Sequence, residues 1–111
     1  ECKYCGSNKR LSIDHIYPLF LGGGSERSNL TRACYMCNSL KQAFTIEVFY
    51  YRLIDKREVQ YNKAQNMMRR IEMHRKRGNR PDLEAWCINK LGIARKQHSY
   101  LTKIINSIIH E

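Results

Sequence analysis

Acidic residues are scarce in this 111-residue chain: 10 Asp and Glu stand against 20 Lys and Arg, for a formal charge of +10. A surplus of that size points to a polyanionic partner, most simply nucleic acid. A soluble basic protein with no such partner is the alternative. Long apolar runs are missing too. No stretch reaches the ~18 residues that a membrane span needs, so neither a transmembrane helix nor a signal peptide is expected. Internal repeats and low-complexity segments are absent, and only two prolines, Pro18 and Pro81, punctuate the chain. The length fits one ordinary domain or two very small ones. A core of that size buries only about 60–70% of the unfolded surface, which makes a structural metal a plausible supplement.

Cysteine is well represented. Cys2-Lys3-Tyr4-Cys5 and Cys34-Tyr35-Met36-Cys37 form two CxxC pairs separated by 28 residues. Each pair offers two thiolates on a tight turn, and four thiolates complete a closed tetrahedral shell, so structural Zn²⁺ is expected, with disulfides as the alternative. Reduced thiols imply an intracellular compartment, cytoplasmic or nucleoid in a bacterial or phage setting. Cys87, beside Trp86 in a helical pattern, reads as a buried apolar residue.

The segment between the two pairs is too long for a simple zinc ribbon, and it carries the reactive side chains. Leu11-Ser12-Ile13-Asp14-His15-Ile16 reads as a short strand with Leu11 and Ile13 on one face. Regular alternation sends Asp14 and His15 to opposite faces, so both serve one site only if the strand bends or ends there. Pro18 favours an ending. Gly22-Gly23-Gly24-Ser25 reads as a hairpin connection in preference to a phosphate cradle. Asn29 to Ala33 forms a second strand, and Asn38 or Ser39 caps a helix through Leu40, Lys41 and Phe44.

From Thr45, a fair N-cap, the pattern is helical, with Ile46, Phe49, Tyr50 and Leu53 as the apolar face. Gly78-Asn79-Arg80-Pro81 is a break. A short helix with Leu83, Trp86, Cys87 and Leu91 follows and ends at Gly92, and a last helix over about 93–110 repeats Ala94, Leu101, Ile104, Ile105 and Ile108. That final stripe reads as core, or equally as the seam of a homodimer. His74, His98 and His110 read as solvated. Charge is uneven: residues 1–44 carry +3 and residues 45–111 carry +7. Arg69, Arg70, Arg75, Lys76, Arg77 and Arg80 face one acid, Glu72, within twelve residues. A helix bearing them can lie along a phosphate backbone and make affinity salt-dependent. The fold class is therefore α+β: a zinc-stapled ββα core over 1–44 and a basic helical region over 45–111 for DNA binding, dimerisation or both.

The segments Ile13-Asp14-His15-Ile16-Tyr17-Pro18-Leu19, Gly22-Gly23, Ser28-Asn29-Leu30 and Ala33-Cys34-Tyr35-Met36-Cys37-Asn38-Ser39-Leu40-Lys41 resemble the HNH endonucleases of the ββα-metal class. The last motif residue is usually His, and Asn38 stands there, as in the endonuclease VII type of junction-resolving nuclease. The resemblance implies hydrolysis of DNA phosphodiesters. It casts Asp14 and Asn38 as oxygen ligands of Mg²⁺ or Mn²⁺, in keeping with the preference of hard cations for oxygen. His15 becomes the general base, as an imidazole can take a proton from water near neutral pH. Asn29 ties the loop backbone and orients the His15 segment, while Lys41 and Arg32 grip the substrate backbone. DNA, double-stranded or branched, is the implied partner. Two other readings stay open: a zinc-dependent nucleic-acid-binding module without catalysis, and an adaptor whose last helix docks a partner protein.

Overall fold

The structure, a computed structural model, describes residues 1–110. β1 (Leu11–His15) and β2 (Leu30–Cys34) pair antiparallel in a two-stranded sheet, in a register running from Leu11 opposite Cys34 to His15 opposite Leu30. Three helices follow: α1 (Tyr35–Lys41), α2 (Ile46–Arg77) and α3 (Pro81–Ile109). The architecture is α+β. None of the helices is long and apolar enough to cross a membrane.

Chain contacts divide the molecule into two compact units. One joins Glu1–Ile54 to the chain from Lys103 onward, and the other is Asp55–Thr102. The first holds the sheet, both CxxC pairs and α1. Its buried apolar residues include Tyr4, Ala33, Phe49, Leu53, Ile104 and Ile105, with the Tyr4 and Phe49 rings edge to face at 5.5 Å. On β1 the polar Asp14 is buried while Ser12 on the same face stays exposed. Ile13 is 59% exposed, and α1 meets the side of β1 that carries Ser12 and Asp14.

The helix after the second CxxC pair starts earlier than expected. Its N-cap is Cys34, whose Sγ accepts from the Cys37 backbone N–H at 3.4 Å, so the knuckle itself is the first helical turn. Asn38 and Ser39 lie inside α1, and the helix stops at Lys41, before Phe44. α2 opens as expected, with Thr45 Oγ1 accepting from the Val48 N–H.

The second unit is a helical hairpin. Gly78 adopts φ 70° and donates to the His74 carbonyl, which closes α2, and Pro81 opens α3 where a missing N–H costs nothing. Arg75 to Glu84 at 2.7 Å and Arg57 to Thr102 at 3.5 Å link the two helical stretches within the unit. α3 does not end at Gly92 but runs through it. A single helix-interior glycine costs about 1 kcal/mol, and the buried residues Cys87, Ala94 and Leu101 on either side hold the helix continuous. Ala94, Leu101, Ile104 and Ile105 are all buried within the single chain. Trp86 is not on that buried stripe. It is 46% exposed, with Arg70 and Lys90 over its ring at 5.3 and 5.5 Å. His74 is a further departure, since it is buried and neither ring nitrogen has a partner among the described residues.

Candidate active site and cysteine cluster

The knuckles meet. Cys2, Cys5, Cys34 and Cys37 are all buried and unpaired by disulfides, and their Sγ atoms lie within 4.8 Å of one another. Cys5 and Cys34 approach to 3.5 Å. Tetrahedral zinc with bonds of about 2.3 Å places its sulfurs about 3.8 Å apart, so the cluster has the size and donor set for a structural metal such as zinc. The backbone favours the thiolate at Cys2. At Cys2 burial pushes the pKa up, but hydrogen bonds from the backbone of Cys34, Cys5 and Tyr4 outweigh it and bring the thiol down to about 7. Burial pushes the Cys5 thiol up.

Two periodicities build the neighbouring site. Ser12 and Asp14 share one face of β1 at a spacing of two, and Asn38 and Lys41 share one face of α1 at a spacing of three. The two faces meet residue for residue. Asn38 Nδ2 donates to Ser12 Oγ at 3.2 Å, and Lys41 Nζ lies 3.2 Å from Asp14 Oδ2 and 3.3 Å from Oδ1. Lys41 also donates to the His15 backbone carbonyl at 3.0 Å, and Tyr4 donates its hydroxyl to Asp14 Oδ2 at 3.1 Å. Lys41 is thus fully enclosed beneath the site and joined to the aspartate, not displayed on the surface.

β1 ends at His15, as the Pro18 signal suggested. Past the strand end, a cavity of about 370 Å³ is lined by Asp14, His15, Pro18, Phe20, Asn38 and Gln42, among others. Asp14 and His15 both line this cavity although they are consecutive residues of β1. His15 Nε2 lies 3.3 Å from Ser25 Oγ, at the end of the glycine run. Asn29, buried, is bonded on three sides. Its Oδ1 accepts from the Tyr17 N–H at 2.8 Å, and its Nδ2 donates to the Tyr17 and Gly24 carbonyls at 3.0 and 2.8 Å. The Ile16 N–H bonds to the Asn29 carbonyl at 2.9 Å, so the Asn29 segment grips the chain directly after His15.

The glycine run serves this loop. Gly22 takes φ 98°, and a Cβ on Gly23 would collide with the Tyr17 carbonyl. The N–H groups of Gly22 and Gly23 are spent on the Leu19 and Pro18 carbonyls, so these two donors serve the turn itself.

With this geometry in view, comparison with known families gives a match over residues 2–53, to the HNH endonucleases. This stretch is similar to the HNH endonucleases. The match covers both CxxC pairs, the sheet, α1 and the first turns of α2, and it supports nuclease-type activity on a nucleic-acid substrate. The chain has no significant match among curated proteins or among solved structures.

The HNH segment gathers Asp14, His15 and Asn38 at one cavity, holds Asn29 and Lys41 directly behind it, and leaves Arg32 exposed on β2. Arg69, Arg70, Arg75, Lys76, Arg77 and Arg80 lie in the other unit. Several already have partners: Arg75 with Glu84, Lys76 with Glu72 at 3.4 Å, and Arg80 with Asp82 at 2.9 Å. The Arg80 hydrogen bond holds the Asp82 carboxyl down to about 2. Arg69 and Arg77 have no acidic partner among the described residues, and both line a shallow cavity of about 390 Å³. Tyr4, Ser12 and Ser25 were not singled out from sequence. Ser12 was accessible there, two residues before Asp14 on the same strand face; Tyr4 and Ser25 carry no such signal.

Proposed function

We propose that this protein is a metal-dependent endonuclease that hydrolyses DNA phosphodiesters at the cavity past the end of β1. The observation that carries the reading is the convergence of Asp14, His15 and Asn38 on that cavity, inside the segment matched by the HNH family. Zinc in the four-cysteine cluster is structural, because four thiolates leave it no open position.

The site's oxygens suit a hard cation. Among the described residues Asp14 Oδ1 accepts from Lys41 alone, so an acceptor site remains on it, and the Asn38 amide directs its nitrogen to Ser12, which leaves its carbonyl oxygen for another partner. Asp14 and Asn38 would hold Mg²⁺ or Mn²⁺ there, and the ion would supply charge neutralisation to the phosphodiester. His15 takes the proton of the attacking water. Ser25 Oγ, 3.3 Å from Nε2, orients the ring, and where Nε2 carries the ring proton, Nδ1 is the nitrogen that accepts the water proton. Asn29 fixes the chain on both sides of the loop, so the imidazole is presented by a rigid backbone. Lys41 positions Asp14 and the His15 carbonyl from below, a role that replaces a direct grip on DNA. Arg32, Arg69 and Arg77 provide phosphate contacts at the surface.

A second reading, a zinc-dependent nucleic-acid-binding module without hydrolysis, draws on one observation: Lys41 already neutralises Asp14. Plasmid cleavage with Mg²⁺ or Mn²⁺ decides between them, comparing the intact protein with His15→Ala. Nicking or linearisation by the intact protein, lost in a variant that still binds DNA, supports the nuclease. Binding by both with cleavage by neither, across both ions and several DNA forms, supports the module. Chelator controls must spare the zinc, whose loss unfolds such domains.

A further inference from the structure

A second cavity flanks Asn38 on the side away from His15. Its volume is about 580 Å³, and Arg10, Ser12, Tyr35, Asn38, Ser39 and Gln42 line it. Asn38 and Gln42 also line the cavity of Asp14 and His15, so the two spaces share a wall. Three features mark the second cavity as more than a dent. Arg10 and Gln42 are the non-glycine residues with positive φ among those described, at 53° and 52°. Such backbone is uncommon for residues with a Cβ and collects at ligand-binding positions. The Arg10 guanidinium lies 4.0 Å over the Tyr35 ring, with Tyr35 52% exposed. Arg10 has no acidic partner among the described residues, unlike Lys41, Arg75, Lys76 and Arg80.

Stacking on an aromatic face uses the guanidinium's π surface and leaves its in-plane N–H groups to point outward. Those donors match the two oxygens of a phosphodiester. We infer that Arg10 binds the backbone phosphate adjacent to the scissile one on the strand being cut, with Tyr35 as the positioning residue that holds the guanidinium flat. The inference rests on the nuclease reading and extends it: the substrate is a polynucleotide strand that continues past the cleaved bond into the Arg10 cavity, and Asn38 stands between the two phosphates.

The test compares Arg10→Ala, Tyr35→Ala and Tyr35→Phe with the intact protein on two substrates, duplex DNA and bis(p-nitrophenyl) phosphate, a diester with no neighbouring nucleotide. Zinc content and circular dichroism report folding. For Arg10→Ala the loss of kcat/KM on DNA exceeds the loss on the small diester at least tenfold, and the slope of log affinity against log salt becomes shallower by about one. Tyr35→Ala moves in the same direction by less, and Tyr35→Phe restores the intact behaviour, since the ring is what positions the arginine. Equal losses on both substrates, or unchanged values on DNA, overturn the inference. Cleavage of neither substrate by the intact protein removes the nuclease reading by itself. Binding then decides the phosphate contact: an Arg10→Ala variant with unchanged DNA affinity and salt slope overturns it.

Discussion

Replacing Lys41 by Met tests the junction of strand, helix and site in one step. The substitution keeps an unbranched stem in a fully buried position and removes the ammonium. Asp14, itself only 6% exposed, is left with the Tyr4 hydroxyl as its remaining side-chain donor, and the His15 carbonyl loses a bond of 3.0 Å. Two unit charges 3.2 Å apart attract by about 5 kcal/mol at an effective dielectric constant of about 20. Breaking a buried pair typically costs about 3–5 kcal/mol, because the surviving charge stays desolvated. A domain of this size is stable by only about 5–15 kcal/mol, so much of the first unit's stability is at stake. Native-state hydrogen exchange at the amides of β1 and β2 is the suitable assay, with zinc kept in the buffer. The single tryptophan, Trp86, lies in the other unit and reports on that unit instead. The expected result is a loss of about 3–5 kcal/mol in Lys41→Met and a smaller loss in the Asp14→Asn, Lys41→Met double variant than in the two single variants added together. With Mn²⁺ present, Lys41→Met recovers more stability than the intact protein gains, as the cation replaces the missing ammonium. A loss below about 1 kcal/mol, or strict additivity of the two changes, refutes the argument that the pair neutralises a buried charge.

Asn29→Ala removes three hydrogen bonds from the loop after His15; it lowers kcat with little change in KM and costs about 1–3 kcal/mol, measured by steady-state cleavage and urea unfolding. Cys37→Ser opens the cysteine shell; elemental analysis shows zinc lost or bound far more weakly, and the amides of residues 2–53 lose protection, whereas retained zinc and protection would contradict a four-cysteine site. The double variant Arg69→Ala, Arg77→Ala weakens DNA binding and makes the salt dependence shallower by about two, about 0.9 per phosphate contact. Lys76→Ala changes the slope by less, because Glu72 already holds that lysine.

Much of the HNH segment could be read before any fold was known, for a physical reason. Metal ligation and loop tying need particular side chains at short, rigid spacings. Two thiolates three residues apart can face one ion, and Asp14-His15 followed by Pro18 marks the end of a strand. Cys2, Cys5, Cys34 and Cys37 were legible in that way as a cluster and Asn29 as the loop tie, and Asp14, His15 and Asn38 line one cavity. The helical character of everything after Thr45 was legible from its apolar spacing as well. Gly92 misled, because glycine's helix penalty is small beside the burial of Cys87, Ala94 and Leu101 along the same helix.

Lysine and histidine burial was not legible. On a helix in a basic chain, Lys41 and His74 default to solvent, since exposure avoids the cost of desolvation. Lys41 is buried because closure of a loop brings α1 onto β1, 26 and 27 residues earlier in the chain, where a carbonyl and a carboxylate wait. His74 is buried by the packing of its helical hairpin.

The sequence by itself determined the chemistry on offer: thiolates in two pairs, a carboxylate beside an imidazole, two amides at fixed intervals, and a positive surface. Those depend on which side chains are present and on short-range spacing. Tertiary structure alone decided which of them meet. It put Tyr4 from the first CxxC knuckle on Asp14, Ser25 from the glycine loop on His15, and Lys41 underneath both. It also stacked Arg10 on Tyr35 beside Asn38. Those meetings follow from loop closure and strand register, which no local spacing encodes.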